Sequence, residues 1–192
     1  MFSVGQVTCT PTFADKSTEA VRHTLDVLRR RGIALRTVKA GDRLTAGDVE
    51  MRVLHPPAIG PAGNENVRSL VLEVRHAGHS VLLTGDLEGA GMEMVLRMER
   101  RHFDVLMAPH HGSPRANSLA FAEWARPRVV VSCQGPPRAV GSPLEIYRTV
   151  GAEVVPTWTH GAVTVRSHAS GLVVETFVTR KRLALRTERS EK

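Results

Sequence analysis

Val81-Leu82-Leu83-Thr84-Gly85-Asp86-Leu87-Glu88 and, further along, Leu106-Met107-Ala108-Pro109-His110-His111-Gly112-Ser113 decide how this chain is read. Each stretch opens as a short apolar run and ends abruptly in polar residues. A run of that length reads as a buried strand rather than a helix. A helix is predicted between them, over roughly Gly91 to Arg101. A strand–helix–strand unit returns the chain in the same direction, so both polar ends arrive at one sheet edge. Active sites of α/β sheets gather at such strand ends.

The residues at those ends suit a metal ion. Carboxylate oxygen and imidazole nitrogen are ligands for zinc, iron or manganese. A carboxylate can bridge two ions, and two ions can activate a water and hold a phosphoryl or acyl oxygen. Asp86, His110 and His111 are therefore the candidate ligands and catalytic residues of a two-metal hydrolase site. Adjacent histidines point in different directions, so one of the pair is expected to bind, and the sequence leaves open which. Gly112 leaves room, and Ser113 is placed to orient an imidazole from behind. The plainer readings are a turn or helix cap for Asp86 and an exposed loop for the histidine pair. The two strand ends together favour a site.

Outward from this unit the chain alternates strands and helices. Gly5 to Thr10 reads as a strand. Ser17 to Arg31 reads as a helix with Val21, Leu25 and Leu28 on one face and Gly32 as its stop. A strand around Ile33 to Val38, a hairpin around Gly47-Asp48, and a Pro/Gly loop from Pro56 to Gly63 follow. Leu70 to Arg75 and Ser80 to Thr84 form a second hairpin, with His76-Ala77-Gly78-His79 exposed at its tip. Later strands are predicted at Val129 to Cys133, Val154-Val155, Ala162 to Arg166 and Leu172 to Val178. Helices are predicted at Ser118 to Ala125 and Pro143 to Val150. The order predicts an α/β fold of layered sheets with outer helices.

The 192 residues suit one domain, 1–178, followed by a basic flexible tail, 179–192. With 42% hydrophobic residues the chain has enough apolar content for a core. No apolar run is long enough for a membrane span, and the start lacks a signal-peptide pattern, so the chain as written reads as soluble. The formal net charge of +7 favours an anionic partner. Cys9 and Cys133 make no C-x-x-C motif and read as two buried free thiols. His23, His55, His102 and His168 have no partner pattern and read as structural or exposed.

The strings Asn64-Glu65-Asn66-Val67-Arg68-Ser69-Leu70-Val71-Leu72, Leu82 to Glu88 and Pro109 to Ser113, in this order, resemble the closing half of the metallo-β-lactamase-like domain of ComEC competence proteins. Val53-Leu54-His55-Pro56-Pro57 and Gly161-Ala162-Val163-Thr164-Val165 fit the same pattern. The resemblance implies an αβ/βα metallo-β-lactamase-like sandwich, incomplete at its N-terminal side. It implies zinc or manganese as cofactor and metal-dependent phosphodiester hydrolysis of a nuclease kind. It further implies DNA as partner in competence uptake, and attachment to the bacterial inner membrane through the family's channel domain. Asp86 matches the bridging carboxylate, and His110 or His111 the late histidine ligand. Asn64, Asn66 and Ser69 match a polar loop near the site.

Departures limit that activity. The family's H-x-H-x-D-H signature is absent. Gly141-Ser142-Pro143 stands where the family has Gly-His-Pro, so Ser142 offers a hydrogen bond but no strong ligand. Thr159-His160-Gly161 stands where an acidic residue usually precedes the glycine. A chain with the late ligands alone is expected to be inactive or weak. The alternatives are a hydrolase completed by another subunit and a non-catalytic DNA-binding module. An incomplete sandwich is also expected to expose apolar surface and to favour a homodimer.

Overall fold

The computed structural model describes residues 3–13, 15–136 and 142–186. It opens with β1 (Gln6–Cys9), α1 (Glu19–Arg30) and β2 (Ala34–Thr37), a parallel pair with its crossover helix. Thr18 starts the helix by accepting the Val21 amide on its hydroxyl, as an N-cap should. Val21 and Leu28 supply its buried stripe. The pair is tied forward where Val38 donates to the Cys9 carbonyl and Gly41 to the Val53 carbonyl.

The main sheet holds seven strands among the described residues, ordered as in the chain. They are β3 (Arg43–Ala46), β4 (Val49–His55), β5 (Val71–His76), β6 (His79–Leu83), β7 (Val105–Met107), β8 (Val129–Ser132) and β9 (Glu153–Pro156). β3 to β6 are antiparallel, while β6 to β9 run parallel through α2 (Gly89–Leu96), α3 (Leu119–Ala125) and α4 (Glu145–Arg148). The predicted helix ending at Arg101 stops at Leu96, and only Glu145–Arg148 of the segment Pro143 to Val150 is helical.

Register explains why both faces are dry. Leu82, Leu106, Val130 and Val154 pair in one row across the parallel half. They lie under the helices in a core with Phe103, Phe121, Trp124 and Tyr147. The alternate residues Val105, Val129, Val131 and Val155 face the other way. There they meet a three-stranded antiparallel sheet, β10 (Val163–His168), β11 (Gly171–Thr176) and β12 (Arg182–Leu185), through Leu172, Val174, Leu183 and Leu185. A strand apolar on both faces needs cover on both. The structure supplies helices on one side and a sheet on the other, the expected α/β layering.

Four sequence readings are corrected. The tail expected from residue 179 instead forms β12, because Leu183 and Leu185 alternate into the core while Arg182 and Ala184 face out; residues 187–192 lie outside the described residues. His79 is buried rather than exposed, with Nδ1 3.2 Å from Asp104 Oδ2. Its neighbour His76 is half-buried against Ser167 Oγ at 3.0 Å. Cys133 is exposed, because β8 stops one residue earlier, while Cys9 is buried as expected.

Candidate metal site

β6 and β7 run parallel side by side, so Asp86 and the histidine pair emerge at one edge. Gly85 turns the chain at φ 55°. Its carbonyl accepts the His110 amide at 3.0 Å, which fastens one loop to the other. His110 and His111 both adopt left-handed backbone, at φ 46° and 53°, and Gly112 continues at φ 80°. Non-glycine residues rarely hold this conformation, and two in succession need external support. Asn117 provides it from behind. Its side-chain amide donates to the Pro109 carbonyl at 3.0 Å and the Ser113 carbonyl at 2.8 Å. The Tyr147 hydroxyl donates to Asn117 Oδ1 at 2.6 Å, and burial pushes the Tyr147 pKa up.

The left-handed run splits the two imidazoles between two carboxylates. His111 Nδ1 lies 3.0 Å from the Cys133 carbonyl. A carbonyl only accepts, so Nδ1 carries the proton. Nε2 of the neutral ring is then bare, and it faces Asp86 Oδ1 at 3.5 Å. Two electron-pair donors facing each other leave a place for a cation or for a further proton. His110 Nδ1 lies 3.0 Å from Glu88 Oε2. Glu88 Oε1 accepts from Asn66 Nδ2 at 3.1 Å and Asn64 Nδ2 at 3.4 Å. The Asn66, His110 and Asn64 hydrogen bonds hold the Glu88 carboxyl below its ordinary pKa.

Asn64 and Asn66 thus belong with His110, linked by a residue the sequence reading left unassigned. Glu88 stands two residues after Asp86 in the sequence. It is the residue before α2, yet makes no side-chain cap bond to that helix. Ser69 lies beside Gly85, with Oγ 3.6 Å from where a Gly85 Cβ would stand. Ser113 and Ser142 do other work than expected. Ser113 closes the histidine turn through its amide and accepts Asn117 on its carbonyl, so the imidazoles are oriented by Glu88 and the Cys133 carbonyl instead. The Ser142 hydroxyl accepts the Leu144 amide, an intra-loop bond ahead of α4. Gly112 is required by space: a Cβ would stand 2.7 Å from Gln134 Oε1 and 2.9 Å from Ser132 Oγ.

His55 closes β4 near the same edge and is 1% exposed. Its Nδ1 donates to the Ser69 carbonyl at 2.9 Å, and its Nε2 has no partner among the described residues. Desolvation lowers its pKa from 6.5, against the opposing Ser69 hydrogen bond. A histidine held neutral in the folded state binds fewer protons than in the unfolded chain. Its contribution is therefore full above the unfolded value of 6.5 and is lost as pH falls through the folded one. Thermal midpoints should decline between neutral pH and about pH 5, and decline less in His55→Gln. Equal slopes in both proteins would assign the decline elsewhere.

No group of three or more His, Cys, Asp or Glu side chains among the described residues is arranged to hold a metal ion. Asp86 and His111 supply two donors. Zinc sites normally draw at least three ligands from protein, so the residues present fit part of a site and not a whole one.

No family model matches the chain. It is similar to ComE operon protein 3 of Bacillus subtilis (strain 168), 37% identical over 112 residues, 58% of this chain. That match covers 14% of the relative, so the chain corresponds to a small part of a much longer protein. The fold is also similar to a crystal structure described as a metal-dependent hydrolase from Parabacteroides distasonis ATCC 8503. The TM-score is 0.45 at 15% identity, over 81% of this chain and 77% of that one; so distant a likeness says nothing about the site. No helix among the described residues is long and apolar enough to cross a membrane.

Proposed function

We propose that this chain carries the later half of a ComEC-like, metal-dependent phosphodiester hydrolase site associated with DNA uptake in competence. In this reading Asp86 and His111 are the metal ligands, and His110, held by Glu88, Asn64 and Asn66, flanks them. The observation that carries the reading is His111 Nε2 facing Asp86 Oδ1 at 3.5 Å, with Nδ1 committed to the Cys133 carbonyl. A metal-ligating histidine is normally fixed this way, its second nitrogen donating to a carbonyl or carboxylate. The similarity to ComE operon protein 3 supports the family assignment. A bound zinc or manganese would supply an activated water, but two donors are too few to hold it tightly. The chain alone is weak or inactive, and activity needs ligands from outside the described residues.

The test is metal content after exhaustive dialysis, followed by calorimetric titration with zinc and manganese. The expected result is little retained metal and weak binding that drops at least about tenfold in Asp86→Ala or His111→Ala. One or two ions retained per chain would overturn the half-site reading. Binding indifferent to both substitutions would overturn the ligand assignment.

A further inference from the structure

The outer face of the three-stranded sheet is not absorbed by the metal site. Its inner face is apolar and buried, yet its outer face carries Arg166 on β10 and Arg182 on β12, followed by Arg186. These flank a shallow trough of about 460 Å³ floored by Gly171, Val173 and Ala184. Glu175 is the trough's carboxylate; it pairs with both Arg166 and Arg182. The lining therefore keeps a positive excess. At its upper end a second hollow shares Arg166, Glu175 and Arg182 and is walled by Phe177 and Arg180.

The hairpin there is held with its apolar side chains outward. Phe177 is 64% exposed, and the Arg180 guanidinium lies 5.0 Å from its ring centroid. Thr176 Oγ1 accepts the Lys181 amide at 2.8 Å and meets Thr179 Oγ1 at 2.9 Å. Thr179 is bound in turn to His160 Nδ1 at 2.6 Å. The ring is thus presented by a hydrogen-bonded turn. Trp158 on α5 (Thr157–His160) is 48% exposed, two residues before His160, whose carbonyl accepts the Val178 amide and so ties α5 to the hairpin. α5 also touches the loop after β8, where the Thr157 hydroxyl donates to the Gln134 carbonyl, one residue past the carbonyl that fixes His111.

We infer that this face and its hairpin form a track for one unpaired nucleic-acid strand, with bases stacking on Phe177 and Trp158 and phosphates meeting Arg166, Arg180, Arg182 and Arg186. Exposed aromatic rings beside cations bind unpaired bases without regard to sequence. A membrane would engage the hairpin tip and the cations nearest it, whereas the trough runs on along the sheet, a course that an extended polyanion can follow. The track rests on the proposed phosphodiester reading only for its substrate class.

The test is fluorescence anisotropy with a labelled oligothymidylate and a duplex of equal length, in chelator, alongside Trp emission. Trp124 is 2% exposed, so a binding-induced change in emission reports Trp158. The unpaired strand should bind more tightly than the duplex. Phe177→Ala and Trp158→Ala should each weaken it about fivefold or more, and Arg182→Gln with Arg186→Gln should flatten the salt dependence. Both aromatic side chains are substantially exposed, so these variants keep the fold. Unchanged affinity in the variants, or duplex preference, overturns the track. So does binding to phosphatidylglycerol vesicles, with a blue-shifted Trp158, in place of the oligonucleotide. So does concentration-dependent dimerisation lost in the same variants. Strand binding that persists in chelator and in Asp86→Ala supports the track even where metal binding fails, which separates this inference from the site reading.

Discussion

Gly91→Ala is expected to lower stability by about 3 kcal/mol, roughly 6 to 12 °C in melting temperature for a domain of this size. Gly91 lies in the first turn of α2, where a Cβ would stand 2.2 Å from the Val67 carbonyl oxygen and 2.9 Å from Leu87 Cδ1. Helix propensity acts in the opposite direction, since alanine gains about 1 kcal/mol over glycine inside a helix. The clash wins because its partner is backbone, which cannot swing aside. Val67 belongs to the turn Asn66–Arg68, whose Asn66 side chain holds Glu88, and Glu88 holds His110. The substitution should therefore disturb the site as well as the fold. Thermal melts and the side-chain amide signals of Asn64 and Asn66 would record both. An unchanged or higher midpoint would mean that this turn yields freely.

Glu73→Ala should cost a comparable amount, again about 3 kcal/mol, for an electrostatic reason. Glu73 is 1% exposed on β5. Arg101 Nη1 reaches it at 2.8 Å, Arg75 Nε at 2.7 Å and Arg52 Nη1 at 3.9 Å. Removing the carboxylate leaves three guanidiniums around an apolar hole. Arg75 and Arg101 retain part of their solvent contact, at 52% and 26% side-chain exposure, which keeps the cost at the lower end for a broken buried pair. Glu73→Gln separates charge from cavity, since it keeps the volume. Chemical denaturation should place Gln between the parent and Ala. A Gln variant as stable as the parent would make the arginines bystanders.

The fold was legible wherever apolar residues keep a period. The runs around Leu82, Leu106 and Val130 announce buried strands, and the helices between them follow from length and capping. That Asp86 and the histidine pair emerge at one sheet edge was legible because each follows such a strand. What escaped depends on partners distant in the chain. His79 reads as a hairpin tip until Asp104 lies against it. β12 reads as a charged tail because its two leucines gain meaning only over Leu172 and Val174. The hydroxyls of Ser113 and Ser142 were credited with reaching a site. Backbone geometry uses Ser113 through its amide and carbonyl, and Ser142 is used locally ahead of α4. Glu88 escaped because Asn64, Asn66 and His110, which it joins, lie far from it in the chain.

The mixed character of the main sheet also orders events in time. In the antiparallel half, neighbours in space are neighbours in the chain, as where His76 meets His79. In the parallel half Val81 must find Val105, and Val105 must find Val129, across whole helices. Loop closure of that kind is slow compared with hairpin formation. Asp86 follows the strand at the seam, while His111 follows the first strand beyond it. Their meeting is therefore expected to trail the antiparallel hairpins, and the approach of those two side chains would report that the first parallel pairing has formed.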